Sequence, residues 1–213
     1  MTGGLGNDSI NGGGGIDRLV ESGDVNFTLT NTSLTGLGSD VLVSIERATL
    51  TGGFSANLLD ASGFSGDVVL VGGKGNDQIT GGSGNDVLIG GDGDDMLVGA
   101  SGNDVLVGGY GSDRIVGSAG HDILVAGELG STSFDNSYSN LRAIGDAWAS
   151  GFTQDLDLSG DNGGNSEDII DEAFDKLTGS SGHDWFILDT SIDRITDLLK
   201  DLARDGDRIT NTY

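Results

Sequence analysis

Aspartate recurs every nine residues through the middle of the chain, at Asp77, Asp86, Asp95, Asp104, Asp113 and Asp122, and Asp8 and Asp17 repeat that spacing near its start. Carboxylates in such a series suit a hard cation, which takes oxygen ligands. Other chemistry lacks its residues. There is no Cys, which excludes thiolate metal sites, cysteine nucleophiles and disulfides. No HExxH, GxSxG or Walker motif occurs, and nothing in the sequence supports catalysis. His121 and His183 each precede an Asp within a turn. Zinc would need further ligands beside them, and both read as exposed turn residues. DLDLSGD at 155–161 partly matches an EF-hand loop through Asp155, Asp157, Ser159 and Gly160. Glu167 falls one position late for the bidentate ligand, so the segment reads as an acidic loop.

The elements that must position the aspartates follow from the residues between them. From Gly72 to Val125 the chain reads GGKGNDQIT, GGSGNDVLI, GGDGDDMLV, GASGNDVLV, GGYGSDRIV, GSAGHDILV, six nine-residue units without a slip. Position four is always Gly and position eight always Ile or Leu (Ile79, Leu88, Leu97, Leu106, Ile115, Leu124). A three-residue strand points its middle side chain to one face and its neighbours to the other, so the Ile/Leu series forms an inward row. The first six residues form a turn in which Gly permits positive φ and close backbone approach. Strand, turn, strand, turn closes a flattened coil of 18 residues. Stacked coils pair their strands in parallel about 4.8 Å apart, and the same spacing stacks the turns. Asp77, Asp95 and Asp113 then form one column, and Asp86, Asp104 and Asp122 the other. Carboxylates this close repel by about 3 kcal/mol per pair at an effective dielectric near 20, and a cation between them reverses the sign.

The units fit the pattern GGxGxDxUx, with U a large aliphatic residue, and in this the chain resembles the RTX family (repeats in toxin, or hemolysin-type calcium-binding repeats). The resemblance implies an all-β fold, a right-handed parallel β-roll with calcium ions between adjacent turns. It also implies a ligand rule. One turn gives the carbonyls of positions two and four and its Asp; the turn 18 residues later gives the carbonyls of positions one and three and its own Asp. Carried over, Gly73, Gly75 and Asp77 pair with Gly90, Asp92 and Asp95. Gly82, Gly84 and Asp86 pair with Gly99, Ser101 and Asp104. Gly91, Gly93 and Asp95 pair with Gly108, Tyr110 and Asp113. Ala100, Gly102 and Asp104 pair with Gly117, Ala119 and Asp122. Ala100 and Ser118 depart from Gly at position two, which loosens the turn preference without removing a carbonyl.

Composition narrows the partners. Ten basic residues are scattered among 34 acidic ones, and the net charge is −24. Nucleic acid and anionic membrane are both disfavoured by that balance, and no apolar run reaches transmembrane length. The 40 Gly and the absence of Pro suit a repetitive coil, while 35% hydrophobic residues supply core material.

The remaining segments extend or close the coil. Residues 3–20 are two further units, GGLGNDSIN and GGGGIDRLV. Residues 21–71 read as degenerate coils of the same solenoid, with TGLGSDVLV at 35–43 (Asp40) and GGFSANLLD at 52–60 (Asn57 for Asp) as recognisable units. Residues 126–213 read as a C-terminal cap. Leu141, Ile144 and Trp148 predict a short helix over Asn140–Ser150. GSSGHDWFI at 179–187 is one more unit, with Asp184 at position six, and Trp148, Trp185 and Phe186 are expected in the cap core. DRITD at 193–197 and DRIT at 207–210 resemble the closing segment after RTX rolls in secreted metalloproteases. Met1 opens inside a repeat, which points to a longer parent chain and other domains. The expected role is a calcium-binding module, extracellular, that folds on calcium and supports type I secretion. The alternative is a calcium-rigidified segment of a surface adhesin or surface layer. A flat ice-binding ladder is disfavoured, because position three varies from Lys74 and Ser83 to Tyr110 and Ala119.

Overall fold

Short strands with one obligatory aliphatic residue, separated by glycine turns, can only build a sheet by stacking, and the chain does so. The computed structural model describes residues 1–127, 173–188, 193–196 and 208–211. All regular structure among them is β. The strands are β1 (Ser9–Asn11), β2 (Arg18–Ser22), β3 (Phe27–Thr30), β4 (Ser33–Thr35), β5 (Ser39–Val43), β6 (Arg47–Thr51), β7 (Leu58–Gly63), β8 (Asp67–Lys74) and β9 (Gln78–Thr80). They continue as β10 (Val87–Asp92), β11 (Met96–Ser101), β12 (Val105–Tyr110), β13 (Arg114–Ala119), β14 (Ile123–Val125), β15 (Lys176–Ser181), β16 (Trp185–Leu188), β17 (Arg194–Ile195) and β18 (Arg208–Asn211).

Alternate strands fall into two sheets. One runs β1-β5-β4-β3-β7-β9-β11-β13-β15-β17 and the other β18-β16-β14-β12-β10-β8-β6-β2. Through the regular repeat each strand pairs in parallel with the strand one coil on, Leu70 beside Leu88, Leu88 beside Leu106, and Ile79 beside Leu97. The position-eight row from Ile79 to Leu124 lies inside, each residue at most 1% exposed.

Two features depart from a uniform parallel coil. Within the stretch 21–71, β4 pairs antiparallel with both β3 and β5. The reversal at Asn31 and Thr32 is held by the Thr30 hydroxyl, which accepts the N–H groups of Thr32 and Ser33. A side chain that caps its own turn this way favours a hairpin over a coil turn. After Val125 the sequence spacing breaks but the stacking does not. Ile115 pairs with Leu177 and Leu124 with Phe186, both 62 residues on instead of 18. The predicted helix at 140–150, Trp148 and the acidic loop at 155–161 lie outside the described residues. Trp185 and Phe186 are both buried in β16, and the DRIT segments contribute β17 and β18.

The two sheets differ on their outer faces. Positions seven and nine of one sheet are exposed or half-buried (Gln78, Met96, Val98, Arg114, Lys176). Their counterparts on the other form a second apolar cluster, with Val87, Val105, Val107, Ile123, Val125, Trp185 and Ile187 each at most 4% exposed. No helix among the described residues is long and apolar enough to cross a membrane.

Candidate metal centre

The turns that carry Asp77, Asp95, Asp104, Asp113 and Asp122 share one backbone conformation, from which the turn of Asp86 departs, since neither Gly82 nor Gly84 is left-handed. Position two is left-handed at Gly73, Gly91 and Gly109, with φ of 109°, 113° and 109°. Ala100 and Ser118 keep that conformation, at 79° and 84°, despite their side chains. A non-glycine residue held there is strained and persists only where its surroundings fix it. Position four is left-handed as well, at Gly75, Gly93, Gly102, Gly111 and Gly120.

This geometry stacks the carboxylates. The Oδ1 of each position-six Asp accepts a backbone N–H from the coil before, that of Asn57 at Asp77 and of Val68 at Asp86, and from Asp95 to Asp122 that of the preceding Asp. Asp77 N–H donates to Asp95 at 2.7 Å, Asp86 to Asp104 at 2.8 Å, Asp95 to Asp113 at 2.8 Å and Asp104 to Asp122 at 2.9 Å. The second oxygens fare differently. In Asp77, Asp95, Asp104 and Asp122, Oδ2 is buried and has no hydrogen-bond partner, and the same is true of the half-buried Asp8 and Asp17. A carboxylate oxygen without a donor in a dry site is costly unless a cation compensates it.

Neutral oxygens surround those atoms. A methyl group added at Gly90 would strike both Asp95 Oδ2 and the Gly108 carbonyl oxygen, and Gly72 and Gly99 show the same collision with their own Asp and the position-one carbonyl one coil on. Position one is therefore glycine because a carboxylate and a carbonyl converge over its Cα. The position-three carbonyls of Asp92, Tyr110 and Ala119 accept the N–H groups of Gly75, Gly93 and Gly102 at 2.7, 2.7 and 3.0 Å, which uses one of two lone pairs. Asp92 turns its own carboxylate outward to Lys74. Gly82 and Gly84 occupy the equivalent turn on the opposite column, where Gly82 N–H caps Asp86 Oδ2 at 2.7 Å. No cluster of three or more ligating side chains occurs among the described residues. A metal here would rest on two carboxylates and on backbone carbonyls, a donor set suited to calcium.

Sequence spacing alone missed several acidic partners. Asp8 N–H donates to Asp40 Oδ1, 32 residues on, and Asp17 N–H to Glu46 Oε2, 29 residues on. Asp175 and Asp184 receive the N–H groups of Asp113 and Asp122. Asp175 lies nine residues before Asp184, in DEAFDKLTG, and that spacing could have found it. At Asn57 the amide replaces the carboxylate: its Oδ1 accepts Gly53 N–H, and its Nδ2 faces Asp24 Oδ1 at 3.4 Å. The His121 and His183 rings lie 5.1 Å apart across adjacent coils, tilted by 47°, and the His183 backbone N–H donates to His121 Nδ1.

Burial drives the stacked carboxyls upward. That of Asp104 is pushed to about 9, first by burial and then by the charges of Asp86 and Asp122, and burial takes those of Asp95 and Asp122 to about 7. Asp77 is raised for the same first reason. A group raised in the folded state stabilises it below the unfolded value and loses that contribution as pH rises through the folded value. The window here runs from 3.8 up to about 7–9. In chelator, acidification from about pH 8 to about pH 5 is expected to increase the folded fraction of the roll, read as sheet circular dichroism. A metal-free chain that loses structure over that interval would contradict the assignment of these carboxylates as its main liability.

Residues 1–19, 62–97 and 98–128 match the family described as RTX calcium-binding nonapeptide repeat (4 copies). No curated protein matches the chain.

Proposed function

We propose, from the premise that this chain carries RTX calcium-binding repeats, that it is a calcium-folded, non-catalytic module of a larger secreted protein. The observation that carries the reading is the stack of buried carboxylates whose Oδ2 atoms lack any donor at Asp77, Asp95, Asp104 and Asp122. Calcium would be held between same-side turns. Asp77 and Asp95, Asp86 and Asp104, Asp95 and Asp113, and Asp104 and Asp122 would supply the charge, and the position-one to position-four carbonyls the neutral oxygens. A bound ion supplies positive charge that neutralises two facing carboxylates. The chain supplies left-handed turns that aim carbonyls inward and glycines that leave room for them.

Metal binding is then folding free energy, and this links the site to secretion. In a calcium-poor cytosol the carboxylates have no counter-charge and the chain stays open, the state a type I exporter would thread through its channel. Outside, calcium closes the coils in a right-handed roll. Strands β15 to β18 would extend the coils past Val125.

A calcium titration followed by circular dichroism tests this reading. The midpoint is expected at about 10⁻⁴–10⁻³ M, the range of extracellular modules. A midpoint below about 10⁻⁶ M would mean folding before export and would remove the basis of the secretion switch.

A further inference from the structure

We infer that a further calcium site lies between the turn ending at Asp122 and the turn ending at Asp184, closing the 62-residue interval between them. The inference rests on the reading that stacked turns of this chain hold calcium. It adds a site beyond the matched repeats, which end at residue 128, and across a spacing that the nine-residue register does not contain.

The two turns reproduce the pair one coil earlier. Asp122 N–H donates to Asp184 Oδ1 at 3.0 Å, as Asp104 N–H donates to Asp122 at 2.9 Å. Gly120 N–H donates to the Ser181 carbonyl at 3.0 Å, as Gly102 N–H does to that of Ala119 at 3.0 Å. Trp185 N–H donates to the Asp122 carbonyl at 2.8 Å, as Ile123 N–H does to that of Asp104 at 2.8 Å. Positions two and four are left-handed in both turns, Ser118 and Gly120 at 84° and 140°, Ser180 and Gly182 at 83° and 131°.

The site also has an uncompensated charge. Asp122 and Asp184 are both 0% exposed, and Asp122 Oδ2 has no hydrogen-bond partner. An added methyl group would strike Asp122 Oδ2 at Gly117 and Asp184 Oδ2 at Gly179, so each carboxylate is turned into its own turn, while at Gly117 the nearest atoms are all of Asp122 and not a next-coil carbonyl as at Gly90. By the ligand rule carried over from the repeat, the donors would be the carbonyls of Ser118, Gly120, Gly179 and Ser181 and two carboxylates, all oxygen. The Ser118 carbonyl already accepts the Ser181 hydroxyl at 3.2 Å and retains a lone pair. Of the adjacent imidazoles, His121 turns its Nδ1 to the His183 backbone N–H. A hard divalent cation fits this donor set; a softer one does not.

The consequence is a staple. One ion would bind residues on both sides of the interval from Ile123 to Lys176, so the coil containing β15 and β16 is held to the roll by metal as well as by sheet pairing.

The test uses the full chain with Trp148→Phe, which leaves Trp185 as the reporter beside Asp184. Calcium is titrated while Trp185 emission and circular dichroism are followed, and bound calcium is counted by equilibrium dialysis. Asp184→Asn keeps an oxygen to accept Asp122 N–H. It is expected to shift the Trp185 transition to at least ten-fold higher calcium and to lower the count by one ion. An unchanged Trp185 midpoint and an unchanged count would overturn the inference. Anomalous scattering from calcium-grown crystals of the parent chain gives a second reading that does not depend on the variant folding. A calcium peak bridging Asp122 and Asp184 is expected, and its absence, with peaks present at Asp86 and Asp104, would overturn the inference while leaving the calcium module intact. A parent chain that binds no calcium at all would instead defeat the proposed function.

Discussion

In excess chelator the chain is expected to lose most of its sheet circular dichroism, and to recover it on addition of millimolar calcium. The reason lies in what the metal-free roll must hold together. Strands β9 and β14 are three residues long, and β10 to β13 are six each. Strands that short do not nucleate alone. Their turns restrain glycines, which lose more backbone freedom on ordering than any other residue. Against this stands one inward aliphatic side chain per unit, and each unit also buries a carboxylate. Burial first, and neighbouring carboxylates at Asp95 and Asp104, raise the cost of the charged form at Asp95, Asp104 and Asp122.

The loss is not expected to be uniform. Residues 27–64 bury Phe27, Leu29, Leu34, Leu42, Leu59 and Phe64, and Asn57 replaces a carboxylate there. Hydrogen exchange in chelator should therefore strip protection from amides of 72–125 first and leave residual protection in β3, β4 and β5. A sheet spectrum that persists unchanged in chelator would show that apolar packing suffices, and folding could not then be coupled to leaving the cell.

What was legible in the sequence is what repeats. An invariant aliphatic residue at position eight has one place to go in a short strand, and invariant Asp and Gly fix the turn. The roll between Gly72 and Val125 could be read off for that reason. The second apolar cluster was equally present in the letters. Units alternate, with Val87 and Ile89, Val105 and Val107, and Ile123 and Val125 on one side, and Gln78 and Thr80 or Arg114 and Val116 on the other. It went unread because a nine-residue frame averages the two sides of an 18-residue coil. The antiparallel β4 was not legible, since Thr30 caps its turn through a hydroxyl that fits a strand equally well. The partners of Asp8, Asp17 and Asp122 were hidden for a different reason. They stand 32, 29 and 62 residues away, and only stacking brings them together.

Asp104→Asn is expected to move stability in opposite directions with and without calcium. Asp104 is 0% exposed, its Oδ1 accepts Asp86 N–H at 2.8 Å, and its Oδ2 has no partner. Its carboxyl is raised beyond those of Asp95 and Asp122, to about 9. An amide keeps the oxygen that accepts Asp86 N–H and removes a charge the metal-free roll cannot compensate. Asn57 shows that the position accepts it, accepting Gly53 N–H at 2.8 Å while Asp77 receives Asn57 N–H. In chelator, then, the variant should hold more sheet structure than the parent. In calcium the balance reverses, because Asp104 faces both Asp86 and Asp122 and would serve two ions. Calcium affinity is tuned over orders of magnitude by the number of charged ligands, and about 1.4 kcal/mol is ten-fold. The calcium midpoint should rise by at least about ten-fold. Asp17→Asn provides the comparison. Asp17 is half-buried, its N–H meets Glu46 rather than another Asp, and it sits beside the degenerate coils. Its midpoint should move by less than about two-fold. Calcium titrations of the three proteins, each begun in chelator, measure both signs at once. Equal midpoints for the two variants would sink the model of shared ligands, and a less structured Asp104→Asn in chelator would show that its charge is not what the metal-free roll resists.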